Sequence, residues 1–199
     1  IFTFDGREDI QELVDFTAES ESLIAGIESL SGYEVVDNST NLNGAVIEGL
    51  ELLDAREAAY ANEMFSGSLV VFTDGTDQAG RVSDSDVESA AQATNHYVYT
   101  VGLSGEVDSD HLTGIGKDGA WFAAGVDGLE AVFQDLGAAI VAQASSYYIL
   151  AYCSPKRAGE HDLELQLIDP EDGTGDVVSS LNYTFDAEGF EGGCDSSFF

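Results

Sequence analysis

Ser68-Leu69-Val70-Val71-Phe72-Thr73-Asp74-Gly75 is an unbroken apolar run of strand length, halted by an acid and a glycine. Continuous rather than alternating apolarity marks a strand covered on both faces, the pattern of a parallel sheet between helices. The flanking sequence agrees. Upstream, Leu42, Ala45, Val46, Gly49, Leu50 and Leu53 form a helical stripe. Downstream, Ser85 followed three residues later by Glu88 reads as a capping box that opens a helix through Ala90, Ala91 and Ala93. A second strand is predicted over 96–103, a short helix over 109–115 and a short strand over 120–123. A long helix then carries Leu129, Val132, Phe133, Leu136 and Ile140 on one face. Before the central run, residues 1–4 read as a strand stopped by Asp5-Gly6, and residues 11–16 as a short edge strand. Leu23, Ile24, Ile27 and Leu30, with Glu19 and Glu21 in the first turn, make an amphipathic helix that Ser31-Gly32 ends.

Strands thus alternate with helices over residues 1–144, which predicts an α/β domain. Residues 145–199 differ. Residues 147–153 read as a strand, and Leu163, Leu165 and Leu167 alternate with polar neighbours, as do Leu181, Tyr183 and Phe185. Together with the turn at Asp169-Pro170, these predict a three-stranded antiparallel extension followed by a loose glycine-rich tail. The opening Ile1-Phe2-Thr3-Phe4 lacks a basic leader and reads as the inside of a strand, so the sequence is expected to start partway through a domain.

The charge is extreme: 38 acidic against six basic residues gives −32, and Lys117 and Lys156 are the two lysines. Such a surface repels phosphate backbones and anionic lipid heads, which argues against nucleic-acid or polybasic membrane binding. Self-repulsion of this size is tolerable where salt screens it, so the composition suits a halophilic setting; an acidic, soluble surface is the plainer alternative. No apolar run is long enough for a transmembrane helix. Cys153 and Cys194 form no metal-binding spacing, and an even pair with one member near the C-terminus suggests one disulfide in an exported protein; two unrelated thiols are the alternative.

Most apparent motifs fail on context. Gly114-Ile115-Gly116-Lys117-Asp118-Gly119 fits the dinucleotide pattern G-x-G-x-x-G, but a helix precedes it and a strand follows, the reverse of what phosphate binding needs. His96, His111 and His161 are scattered and read as strand or surface residues rather than ligands, and no nucleophile, base and orienter come together, so an enzyme is not expected. Two strand-end features survive. Asp74 lies at the carboxyl end of a buried strand, where open α/β sheets place ligands, and Thr40 starts the preceding helix. A hydroxyl and a carboxylate converging there suit a hard cation such as Mg²⁺. Equally, Thr40 is readable as an N-cap and Asp74 as a turn former.

Asn38-Ser39-Thr40-Asn41-Leu42-Asn43-Gly44-Ala45 resembles the threonine motif of von Willebrand factor type A domains, and Leu69 to Gly75 resembles their hydrophobic strand ending in T-D-G. Tyr97 to Leu103 is similar to the next strand, and Leu112 to Phe122 to the segment before the last helix. The likeness covers residues 1–144 in order. It implies a three-layer, Rossmann-like fold, mostly parallel sheet flanked by helices, lacking its first strand, with the antiparallel extension appended. In this family three loops build a metal-ion-dependent adhesion site. Thr40 and Asp74 match two of them, while the third, D-x-S-x-S, follows the central strand and has no counterpart here. The resemblance therefore implies an extracellular or envelope binding module of a bacterium, taking a protein ligand through an acidic side chain. Mg²⁺ would serve the intact site and bind this chain weakly or not at all. A metal-free structural envelope protein on the same scaffold is the alternative. The tail segment from Tyr147 to Pro155 resembles the extension of some bacterial exported proteins.

Overall fold

The computed structural model describes residues 1–60, 64–103, 105–148, 158–169 and 175–188. The chain divides into two compact units, Ile1–Tyr147 and Tyr148–Phe199. In the first, strand β1 (Phe2–Thr3) pairs antiparallel with β2 (Gln11–Glu12), and helix α1 (Ser20–Ser29) runs into a 3₁₀ turn, Leu30–Gly32. Helix α2 (Leu42–Ala59), strand β3 (Ser68–Thr73), helix α3 (Asp84–Ala93) and strand β4 (Tyr97–Leu103) follow. Helix α4 (Ser109–Ile115), strand β5 (Gly119–Ala123) and helix α5 (Leu129–Ala144) complete the unit. Strands β3, β4 and β5 form a parallel sheet in that order, with Ser68 opposite Tyr97 and Tyr99 opposite Gly119.

The central strand β4 shows why the sequence makes three layers. Successive side chains point to opposite faces, and residues 98–102 are all buried. On one face Val98 joins a core of Leu42, Val46 and Leu50 from α2, Val87 and Ala91 from α3, and Leu112 and Ile115 from α4. On the other, Tyr99 and Val101 pack with Ala123, Val132 and Leu136 of β5 and α5. Val98 and Val101 are fully inaccessible, and each such side chain contributes about 1.5–3 kcal/mol relative to exposure. Gly116 ends α4 where only a glycine fits: a Cβ there would stand 2.7 Å from the Gly119 carbonyl oxygen and 2.5 Å from the Thr100 hydroxyl. The glycine pattern over 114–119 therefore serves a tight helix-to-strand corner, not a phosphate cradle.

Several local expectations need correction. The helix α3 cap lies one box earlier: Ser83 accepts the Asp86 N–H at 3.2 Å and donates to the Asp86 carboxylate at 2.6 Å. The edge strand is confined to Gln11–Glu12, because Leu13 and Val14 both turn their N–H groups onto the Ile1 carbonyl. Helix α1 buries none of its residues, leaving Ile24 and Ile27 more than half exposed.

The second unit holds an antiparallel hairpin, β6 (Glu160–Ile168) with β7 (Val177–Asp186), His161 opposite Phe185. Tyr147 belongs to the first unit and is not in a strand. The rest of the strand expected over 147–153 bears on residues 149–153, and with Cys153, Cys194 and the tail it lies outside the described residues.

Candidate functional site

Three loops meet at the carboxyl ends of β1 and β3. Asp5-Gly6-Arg7 follows β1, Ser39-Thr40-Asn41 leads into α2, and residues 74–81 follow β3. Backbone bonds fasten them: the Asn41 N–H donates to the Asp5 carbonyl at 2.9 Å, and the Gln78 and Ala79 N–H groups donate to the Thr40 carbonyl at 2.8 and 3.0 Å. Side chains add to the lacing. Arg81 donates through Nη2 to the Gly6 carbonyl at 2.9 Å, and Asn41 through Nδ2 to the carbonyls of Arg7 and Glu8.

Asn43 locks the second and third loops together from beneath. It is fully buried. Its N–H donates to Asp77 Oδ1 at 3.1 Å, and its Nδ2 to the Val82 carbonyl at 3.0 Å and Asp84 Oδ1 at 2.9 Å. With both amide hydrogens so used, its Oδ1 accepts from His111 Nε2 at 2.8 Å, and His111 Nδ1 faces Glu88 Oε1 at 3.1 Å. His111 is thus a buried structural hub, and Glu88, expected in a capping box, is its partner.

Within this frame Thr40 lies beside the loop that carries Asp74. The Thr40 hydroxyl stands 3.9 Å from where a Cβ on Gly75 would lie. Neither residue fills the plain role open to it. Asn41, not Thr40, occupies the N-cap position of α2, with no side-chain cap bond. Thr73, not Asp74, closes the turn, its Oγ1 accepting the Gly75 N–H at 3.2 Å. Among the described residues, neither the Thr40 hydroxyl nor the Asp74 carboxylate has a hydrogen-bond partner.

Both residues line a cavity of about 900 Å³. Its walls are residues 1–4 on one side and residues 68–74 on the other, with Phe133 of α5, Ile27 of α1 and Leu30 of the 3₁₀ turn. No hydrogen bond joins β1 to β3, which belong to separate ladders, so the cavity is bounded by two unpaired strand edges. A hard cation at its carboxyl end fits the free Thr40 hydroxyl and exposed Asp74 carboxylate. The two neighbouring carboxylates are engaged: Asp5 with Arg7 at 2.9 Å, and Asp37 with the Ser39 hydroxyl at 2.8 Å. The one orphaned buried oxygen of these loops, Asn41 Oδ1, is not part of the cavity wall. Among the described residues these loops therefore offer two candidate oxygen ligands, short of the octahedral six that Mg²⁺ demands.

Asp5 is the electrostatic anchor of the first loop. The Arg7 guanidinium, helped by the N–H groups of Arg7, Val36 and Asp37, outweighs burial and holds its carboxyl down from 3.8 to about 2. A depressed carboxyl stabilises the fold above its unfolded value and loses that contribution as pH falls through the folded one. The stability gap between the wild type and Asp5→Asn is therefore expected to be fully open above about pH 4 and to close toward about pH 2. Denaturant melts across that range check it; a gap independent of pH contradicts the ion-pair account.

His96 is a second departure from the sequence reading. It is buried at the start of β4, against Asp54 and Glu57 near the end of α2. No signal in the sequence pairs these residues, which only the βα packing brings together.

No protein-family model and no curated protein matches the sequence. Solved structures do. A von Willebrand factor type A protein from Catenulispora acidiphila superposes with a TM-score of 0.52 at 17% identity, over 69% of this chain and 32% of its own. Proximal thread matrix protein 1 of the mussel byssus, solved with a zinc-occupied MIDAS motif, gives 0.52 at 19% identity, over 71% and 33%. Another structure of that protein gives 0.50 at 15%, over 68% and 33%. The chain spans about a third of the length of these proteins. The fold is of the von Willebrand factor type A kind. Among the described residues no helix is long and apolar enough to cross a membrane.

Proposed function

We propose that this chain is part of an extracytoplasmic protein-binding module of the adhesion type, with its contact point at the loops following β1 and β3. The carrying observation is that the Thr40 hydroxyl and the Asp74 carboxylate, each without a hydrogen-bond partner among the described residues, line the same cavity. Thr40 is not the N-cap of α2, a position held by Asn41, and the turn after β3 is closed by Thr73. Thr40 and Asp74 are two ligands of a divalent cation, Mg²⁺ by their all-oxygen chemistry. When bound, that ion supplies the positive charge that an acidic side chain of the partner completes. On a surface of −32, such a partner needs a local cation or high salt to approach.

The cavity suggests where the remaining ligands come from. Its two walls are strand edges with unpaired backbone groups, and a strand lying between β1 and β3 would join the two ladders into one sheet. A D-x-S-x-S loop at the carboxyl end of that strand would arrive beside Thr40 and Asp74. The role is binding rather than catalysis. The plainer alternative, a scaffold that uses no metal, is separated by experiment. With two ligands, this chain alone is expected to bind Mg²⁺ weakly. In about 1 M NaCl, which shortens the Debye length to about 3 Å, amide NMR shifts on adding Mg²⁺ should be confined to residues 39–41 and 74–76. Asp74→Ala should abolish them. Shifts spread over all acidic surfaces, or unaffected by Asp74→Ala, would favour the metal-free scaffold.

A further inference from the structure

We infer that Asp54, Glu57 and His96 form a second divalent-cation site, of zinc-class chemistry, at the opposite pole of the sheet from Thr40 and Asp74. Helix α2 starts at the Thr40 loop and ends at the amino-terminal end of β4, so the two places are separated by the length of that helix. His96 Nε2 lies 3.0 Å from Asp54 Oδ1 and 3.8 Å from Glu57 Oε2. The three ligand atoms all fall within 4.8 Å of one another. Zinc bonds of about 2.0–2.2 Å in tetrahedral array put neighbouring donors about 3.4 Å apart, between the two observed distances. Closing onto an ion therefore asks only small movements of two exposed carboxylates.

The cluster is more than an acidic patch because its nitrogen ligand is buried and fixed. The His96 side chain is 3% exposed, against 68% for Asp54 and 49% for Glu57. Its ring meets Phe65 edge-on at 6.1 Å between centroids. Gly67 makes room for it, since a Cβ there would come within 2.7 Å of Nδ1. The ring is thus held with Nε2 aimed at the last turns of α2, where Asp54 and Glu57 lie one turn apart on the same face. Locked orientation is what a ligand needs from its surroundings.

Charge supports the assignment independently. Among the described residues every Lys and Arg is engaged elsewhere: Arg7 with Asp5, Arg56 with Asp15, Arg81 with the Gly6 carbonyl and Lys117 with the Thr94 carbonyl. Among the described residues the two carboxylates at His96 therefore have no guanidinium or ammonium partner, on a chain with excess negative charge. A mixed imidazole and carboxylate donor set selects zinc, cobalt or nickel over the all-oxygen preference of Mg²⁺. Two exposed carboxylates leave the remaining coordination positions to water, as in an open site.

The test is a Co²⁺ titration of the full chain in about 1 M NaCl, followed by visible absorption, with Zn²⁺ displacement. One-to-one saturation with a visible band, displaced by Zn²⁺ and not by Mg²⁺, is expected. Asp54→Asn and Glu57→Gln, both at exposed positions that leave the fold intact, should each weaken it at least about tenfold. Asp74→Ala should leave it unchanged, which separates this site from the one under Proposed function. No saturable binding, or binding indifferent to both carboxylate substitutions, overturns the inference.

Discussion

The melting temperature is expected to climb steadily between about 0.1 and 2 M NaCl, by on the order of 10 °C. That corresponds to about 3 kcal/mol for a domain of this size. The cause is the surface: 38 carboxylates face six basic residues, and four of those six are engaged in specific contacts among the described residues. Carboxylates that repel one another across the folded surface relax apart on unfolding. Shortening the Debye length from about 10 to about 3 Å removes most of that penalty. Salt also strengthens burial of apolar groups in any protein, so a less acidic domain of the same fold is the control. A flat or falling series, or a rise equal to the control's, contradicts the halophilic reading.

Asn43→Ala is expected to cost about 3 kcal/mol. The side chain uses three of its hydrogen-bonding positions, to the Val82 carbonyl, Asp84 and His111. Truncation removes the donor to the part-buried Val82 carbonyl and leaves the buried His111 Nε2 with only the longer 3.5 Å approach of Asp84, and each unsatisfied buried group costs about 1–3 kcal/mol. The same change loosens the lock between the Thr40 loop and the loop after β3, so NMR exchange broadening at 39–41 and 74–79 should accompany it. A loss below about 1 kcal/mol by urea denaturation would show that the network is not a structural hub.

Much of the fold was legible because burial writes itself into composition. Strands β3 and β4 both read as strands from continuous apolarity, but of the two only β4 is covered on both faces. On β3, Val70 and Phe72 are 38% and 42% exposed, and nothing in the sequence says how completely the second face is packed. The α3 cap was not legible because Ser83-Asp84-Ser85-Asp86-Val87-Glu88 offers two overlapping capping boxes. What decides between them is His111, which draws Glu88 away from 23 residues downstream. The exposed stripe on α1 also escapes the sequence, where amphipathic spacing says which face is apolar but not what covers it. Thr40 and Asp74 stand out in the sequence as candidates because strand ends in α/β sheets are places for ligands and because their motifs resemble a known family. Asp54 and His96, 42 residues apart, could not. Each looks like ordinary surface or strand, and only the packing of α2 against the foot of β4 makes them neighbours.

The geometry that matters most for function is the one linking the cavity to its rim. Two strand edges without partners end beside a free hydroxyl and a free carboxylate, and the loops bearing them are laced by main-chain bonds. Such a frame suits a site in which a cation is held by preset oxygens and a partner's carboxylate completes the shell. The apolar walls, with Phe4, Leu69, Val71 and Phe133 among them, favour a strand whose side chains are apolar on both faces.

The central claim is that Thr40 and Asp74 are two members of a larger oxygen-ligand set completed at the end of a strand between β1 and β3. Its most direct test is calorimetric titration of Mg²⁺ into this chain with a peptide of apolar strand residues ending in D-x-S-x-S, in about 1 M NaCl to screen the diffuse ion atmosphere. The account predicts a saturable one-to-one site that neither component shows alone and that Asp74→Ala abolishes. A peptide that binds without creating a Mg²⁺ site, or a site indifferent to Asp74→Ala, would contradict it.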